Sequence, residues 1–116
     1  MDSLKELEEE ITKFVNDRDW DQFHTPANLA KSISIEAAEL LECFQWDNEI
    51  KDKKHVEDEL ADVMNYCIQL AHVLNCDIKD IVERKLKETN LKYPIEKCKG
   101  KSLKYTAYID NNIGKK

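Results

Sequence analysis

The sequence predicts an all-α protein, a four-helix bundle-like core followed by an extended C-terminal tail. Three observations carry that expectation. Among 116 residues there are only two glycines and two prolines, too few for a turn-rich β fold. Apolar residues form 41% of the chain and recur at intervals of three and four rather than alternately. Charged residues, 36% of the total, fill the gaps, as on helices with one buried stripe. A chain of this length builds one core, so residues 1–94 are expected to form a single helical domain and 95–116 the tail.

Leu4, Leu7, Ile11, Phe14 and Val15 fall at helical spacing and predict a first helix over residues 3–18. The stretch DWDQFHT then breaks the period. Thr25 before Pro26 reads as a cap followed by proline at the first helical position, opening a second helix that runs to Phe44 or Trp46. The polar connection DNEIKDKK leads to a third helix from His55 to Leu74. Asp77 caps a fourth, IKDIVERKLKETN, which stops before Tyr93-Pro94 because a residue preceding proline is pushed out of helical geometry. From Ile95 onward periodicity is weak, and the chain reads as an extended or mobile tail.

Composition limits the function classes. No apolar run is long enough to span a bilayer, and the acidic opening MDSLKELEEE has no hydrophobic signal region, so the expected location is the cytoplasm. Cys43, Cys67, Cys76 and Cys98 show no C-x-x-C spacing and read as buried free thiols rather than zinc ligands or disulfides. The net charge of −6 argues against a nucleic-acid polymer as partner. It leaves open a small phosphorylated ligand, since a metal ion can bridge anion to anion. Lys92, Lys97, Lys99, Lys101 and Lys104 reverse the acidic trend near the end, most simply as a solvated tail.

Two helices carry the same device. At about 100° per residue, Leu29, Leu40, Ile33, Phe44, Ala37, Ala30 and Leu41 form one stripe on the second helix. Glu36 lies at its edge and Glu39 one step further out. On the third helix Leu70, Val63, Val56, Leu74, Cys67, Leu60, Ala71 and Met64 form the stripe, with Glu59 at the edge and Asp62 beyond it. The short connection favours antiparallel neighbours, which brings corresponding edges to the same side. Glu36, Glu39, Glu59 and Asp62 can thus converge on one seam, where they must gain protons or a cation. Oxygen ligands suit Mg²⁺ or Mn²⁺, and the lack of a suitably spaced His or Cys disfavours zinc. The alternative is four ordinary exposed acids, since such spacings are frequent in a chain with 24 acidic residues.

Lys85 falls within the apolar face of the fourth helix (Ile78, Ile81, Val82, Leu86). It either extends its charge to water or reaches the acidic seam to hold a phosphate; Asn90, Lys92 and Tyr93 follow. Trp20, Phe23 and His24 cluster before the second helix, Trp46 ends it, and Tyr66 lies at the same edge as Glu59. These aromatics could stack a base or serve packing alone. His24 is a base contact or a loop residue, and His55 and His72 read as surface residues.

The pattern E36-x-x-E39 followed by E59-x-x-D62 resembles the signature of the MazG-like all-α nucleoside triphosphate pyrophosphatases. The blocks R18-DWDQFHTPANL-A30, I35-EAAELLECFQW-D47, E57-DELADVMNY-C67, K85-LKETNLKYP-I95 and K104-YT-A107 are similar to the dCTP pyrophosphatase branch over nearly the whole chain. The resemblance implies metal-dependent hydrolysis of a (d)NTP, such as dCTP or a modified dCTP, between the α- and β-phosphates. It implies Glu36, Glu39, Glu59 and Asp62 as Mg²⁺ ligands, with Glu39 also orienting or deprotonating water. It places Lys85 and Asn90 near the phosphates with Tyr93 in the same motif, and Trp20, Trp46 and Tyr66 around the base with His24 beside it. Lys104 and Tyr105 resemble a segment that closes over the substrate. It further implies a homodimer or homotetramer whose pockets draw on a neighbouring chain. Ile11 stands where the branch commonly has a histidine facing the base, which puts strict cytosine specificity in question.

Two other readings compete. A carboxylate-bridged di-iron bundle wants Glu-x-x-His on two helices, and neither Glu36 nor Glu59 has histidine three residues on. A non-catalytic helical oligomeric interaction module with an acidic seam explains the composition, but not edge-placed acids, Lys85 and the aromatic cluster together.

Overall fold

The computed structural model describes residues 2–101, and among these there are helices and no strands. Helix α1 spans Ser3–Asp17, a 3-10 turn Asp21–Phe23, α2 Pro26–Glu42, α3 Lys53–Val73, α4 Ile78–Lys92 and α5 Ile95–Cys98. The chain divides into two compact units, Met1–Ile78 and Lys79–Lys116.

Each helix of the first unit starts on a side-chain cap that satisfies an otherwise unpaired backbone donor. Asp2 accepts from the Lys5 amide at 2.8 Å, Thr25 from Asn28 at 3.1 Å, and Asp52 from His55 at 3.2 Å. Pro26 takes the first position of α2, where its missing N–H costs nothing. Two of the helices end alike. Asp19 (φ 56°) and Asn75 (φ 57°) adopt left-handed geometry, which short polar side chains tolerate better than most. The next residue then folds back: the Trp20 amide donates to the Val15 carbonyl at 3.1 Å, and Cys76 to Ala71 at 2.9 Å. The first of these reversals tucks Trp20 against α1, its ring edge-on to Phe14 with centroids 5.8 Å apart.

Within this unit α3 packs against both α2 and α1. Helices α2 and α3 run antiparallel, as expected from the short connection. His24, before α2, shares a cavity with Gln69 late in α3, whereas Cys43, after α2, lies near Asp52 and Glu59 early in α3. Among the described residues Val15, Leu29, Ile68 and Ala71 are the buried apolar ones, with Leu29 and Ile68 each 1% exposed. Ile68 lies just beyond the edge of the stripe predicted for α3; a helix held between two neighbours buries a wider arc than one stripe. Conversely, Leu41, Leu60, Met64 and Leu74, all predicted on the stripes, are exposed in the single chain. The cysteines are free thiols, but half-buried rather than buried. His72 and Glu8 tie α3 to α1 at 2.8 Å, so His72, read as a plain surface residue, has a long-range partner.

The second unit contains α4 and α5. Helix α4 carries ion pairs along its surface, Lys79–Glu83 at 2.6 Å, Arg84–Glu88 at 3.8 Å and Lys85–Glu88 at 3.6 Å. The Tyr93 amide still donates to Thr89 at 2.9 Å, but Pro94 closes the helix. Ile95–Cys98, expected to open an extended or mobile tail, instead forms a helical turn: the Pro94 carbonyl accepts from Lys97 and Cys98, both at 3.0 Å. Proline's fixed φ and outward carbonyl suit a helix start as well as a stop. Among the described residues no helix is long and apolar enough to cross a membrane.

Candidate active site: a carboxylate cluster beside a small aromatic cavity

Glu36 projects from the middle of α2, and Glu59 and Asp62 sit one turn apart on α3. One oxygen from each lies within 4.8 Å of the others. Glu39, a turn beyond Glu36, stands near enough to Glu36 and Glu59 for its carboxyl to act on both. All four acids singled out in the sequence therefore meet on one seam. Glu36 and Glu59 are half-buried and Glu39 and Asp62 exposed, matching the inner and outer edge positions.

The electrostatics of the seam are those of like charges held together. The hydrogen bond from Glu39, then burial, then repulsion from Glu39, Asp62 and Glu59 push the Glu36 carboxyl from its ordinary 4.5 up to about 7. Burial, followed by the charge and hydrogen bond of Glu39, pushes Glu59 up as well, and His55, 4.0 Å away, offsets part of that. Oε2 of Glu36 and Oε2 of Glu59 are buried without a hydrogen-bond partner, a state that costs free energy until something polar meets them. None of the four acids has a lysine or arginine three or four residues away. An all-oxygen donor set with orphaned anionic oxygens fits a hard divalent cation, Mg²⁺ or Mn²⁺, and suits zinc poorly.

Beside the cluster is a cavity of about 120 Å³. Glu36 and Asp62 form one end, Phe14, Trp20 and Tyr66 supply aromatic walls, and His24, Asn65 and Gln69 add polar groups. The Arg18 guanidinium stacks 3.8 Å from the Phe14 ring centre and donates to the Phe14 carbonyl at 3.0 Å, bracing that wall. Trp20, His24 and Tyr66, singled out in the sequence, are thus brought together around one cavity.

Trp46 does not join them. It lies past the end of α2 and is 89% exposed, because the helix closes at Glu42 and the chain turns away. Lys85, Asn90 and Tyr93 belong to the second unit; there the Lys85 side chain is 60% exposed beside Glu88, Asn90 is exposed and Tyr93 half-buried. Lys104 and Tyr105 lie outside the described residues. Phe14, Asn65 and Gln69 were not anticipated as site residues. Asn65 and Gln69 follow Asp62 by three and seven positions, which on a helix is the same face; continuing that face past the acids would have found both.

The chain is 31% identical over 113 residues to dCTP pyrophosphatase 1 of Mus musculus, an alignment covering 90% of this chain and 66% of the mouse protein. Its likeness to the human dCTP pyrophosphatase 1 is 30% over 113 residues, again with 90% and 66% covered. The chain thus spans just under two thirds of the length of these relatives. The crystal structure of a pyrophosphatase from Archaeoglobus fulgidus DSM 4304 superimposes with a TM-score of 0.76 at 39% identity, over 81% of this chain and 94% of that one. Residues 31–107, which include all four seam acids, match the MazG-like family model, and the chain belongs to the MazG-like family.

Proposed function

We propose that this chain is a divalent-metal-dependent nucleoside triphosphate pyrophosphohydrolase that cleaves between the α- and β-phosphates, releasing a nucleoside monophosphate and pyrophosphate. The observation that carries the reading is the adjacency of four carboxylates, two with orphaned buried oxygens, to an aromatic cavity of about 120 Å³. A triphosphate needs cations to neutralise it, and a base needs a flat, partly polar slot. The names of the relatives support the same class of reaction.

In this reading Glu36, Glu59 and Asp62, joined by Glu39, hold Mg²⁺ or Mn²⁺. When bound, the metal neutralises the triphosphate, polarises the α-phosphorus and lowers the pKa of a bound water. The chain's own residues do the rest. Glu39, exposed at the open edge of the seam, orients the attacking water and takes its proton. Trp20 and Tyr66 flank the base, with His24 beside it. Lys85 and Asn90 meet the departing phosphates, and Tyr93 supports them. Assembly into a homo-oligomer is supported by the exposed Leu41, Leu60 and Met64 on the faces of α2 and α3, and a second copy is the natural source of a Trp46 for the base pocket. The reaction is placed in the cytoplasm, acting on the nucleotide pool.

The test is a panel of dNTPs and NTPs with Mg²⁺, products resolved by phosphorus NMR, run beside Glu59→Ala. Pyrophosphate and monophosphate, lost in the variant, are expected. Orthophosphate with diphosphate would assign the wrong bond, and no turnover by the wild type would leave the seam as part of an interaction module.

A further inference from the structure

Asn65 and Gln69 stand one turn apart on α3 and line the cavity beside the seam. Gln69 Nε2 donates to Asn65 Oδ1 at 2.7 Å, while Gln69 Oε1 is buried with no partner. Exchanging the two ends of each amide does not remove the orphan. With both turned over, Asn65 Nδ2 donates to Gln69 Oε1, and Gln69 Nε2 becomes the buried group left without a partner. In either arrangement one polar atom of Gln69, a residue that lines the cavity, is unmatched, and an unmatched buried polar atom is worth a substantial loss that a ligand can relieve. The side chain alone does not fix which atom is offered, because a primary amide carries an acceptor and a donor of nearly equal size.

We propose that the Asn65–Gln69 pair is a specificity-determining element that meets the hydrogen-bonding edge of a pyrimidine base and, by turning over as a unit, accepts either an amino or an oxo group there. This rests on the nucleotide reading above. The cavity, at about 120 Å³, is of the order of an engineered pocket of about 150 Å³ that holds benzene, so it suits one six-membered ring. A larger hollow of about 430 Å³, walled by Thr12, Asn16 and His72, shares His24 and Gln69 with this cavity. For an amino base the pair offers Gln69 Oε1 as acceptor, and for an oxo base Gln69 Nε2 as donor. The site therefore tolerates cytosine and uracil alike, where a fixed donor or acceptor would exclude one of them.

The experiment measures binding of α,β-imido-dCTP and α,β-imido-dUTP with Mg²⁺ by calorimetry, at pH 8, to the full chain and to Gln69→Met and Asn65→Asp. The wild type should bind the two within about tenfold of each other. Gln69→Met should weaken both by about tenfold, and Asn65→Asp, an acceptor only, should pin Gln69 with Oε1 outward and favour the dCTP analogue by at least about tenfold. A wild-type preference beyond tenfold, or unchanged affinities in Gln69→Met, overturns the amide reading while leaving the nucleotide reading intact. No binding of either analogue to the wild type overturns both.

Discussion

The acids on the outer faces of the helices and the acids on the α2–α3 seam are the same two residue types in opposite circumstances. Outside, they pair with a lysine one turn away: Lys13 with Asp17 at 2.7 Å, Lys54 with Asp58 at 2.9 Å, Lys79 with Glu83 at 2.6 Å. On the seam the neighbours one turn away are other acids or uncharged side chains, apart from His55, and the carboxyls meet each other instead. Exposed pairs of the first kind contribute about 0.3–0.5 kcal/mol each. A seam of the second kind works against folding unless a cation occupies it, and such an arrangement is what a functional site costs the fold.

That contrast can be tested by removing one member from each region. Glu59→Ala should lower turnover by at least about 100-fold if, as proposed, it removes a ligand of the catalytic metal. The same change should leave the metal-free protein as stable as the wild type or more so, since a half-buried carboxyl with one oxygen lacking a hydrogen-bond partner goes with it. Lost activity together with a lowered melting temperature in EDTA would mean that the acid is structural.

Metal itself should act only on the seam. Mg²⁺ at 100 times its dissociation constant should stabilise the wild type by about 2.7 kcal/mol, seen as a rise in melting temperature over the EDTA sample. Glu59→Ala should show little of that rise, and Lys54→Ala all of it.

The third difference is in pH. The Glu36 carboxyl titrates at about 7 in the folded chain against an ordinary 4.5, so between those values the native state binds more protons than the unfolded state. Stability of the metal-free protein, present in full below about pH 4.5, should therefore fall as pH rises through 7. Metal competes with the same proton, so Mg²⁺ affinity should rise over that window. Melting curves from pH 4.5 to 8 with and without Mg²⁺ should diverge; parallel curves would mean the seam does not hold the metal.

Two smaller effects calibrate the rest of the fold. Asn75→Gly, at a left-handed residue ending α3, should stabilise by about 0.5–1 kcal/mol. Lys54→Ala should change stability by no more than about 0.5 kcal/mol. Denaturant melts at pH 7 read both.

The helices and the four seam acids were legible because both are periodic. Apolar spacing and caps place the ends of α1 to α4 to within about two residues, except that α2, expected to reach Phe44 or Trp46, closes at Glu42, and the same arithmetic puts Glu36, Glu39, Glu59 and Asp62 along matching edges. What periodicity does not reveal is where a chain goes after a helix ends. Trp20 reaches the cavity through a left-handed Asp19, and Trp46 leaves it because α2 closes at Glu42; neither turn has a strong signal, since Asp and Glu are ordinary surface residues. Asn65 and Gln69 were overlooked for another reason. Uncharged polar residues on a helix face read as solvated, and only a third element, α1 with Phe14, makes that face a wall. Ile68 shows the same limit in the core, buried because α1 covers a side of α3 that a single stripe does not predict.

On the proposed reading, the seam carboxylates stand without a lysine or arginine one turn away because a divalent cation belongs among them. The most direct test of that reading is a calorimetric titration of the full chain with Mn²⁺ at pH 8, in wild type, Glu59→Ala and Lys54→Ala. Saturable binding in the wild type and in Lys54→Ala, abolished in Glu59→Ala, is the predicted result. Equal binding by all three proteins, or none by any, would contradict it.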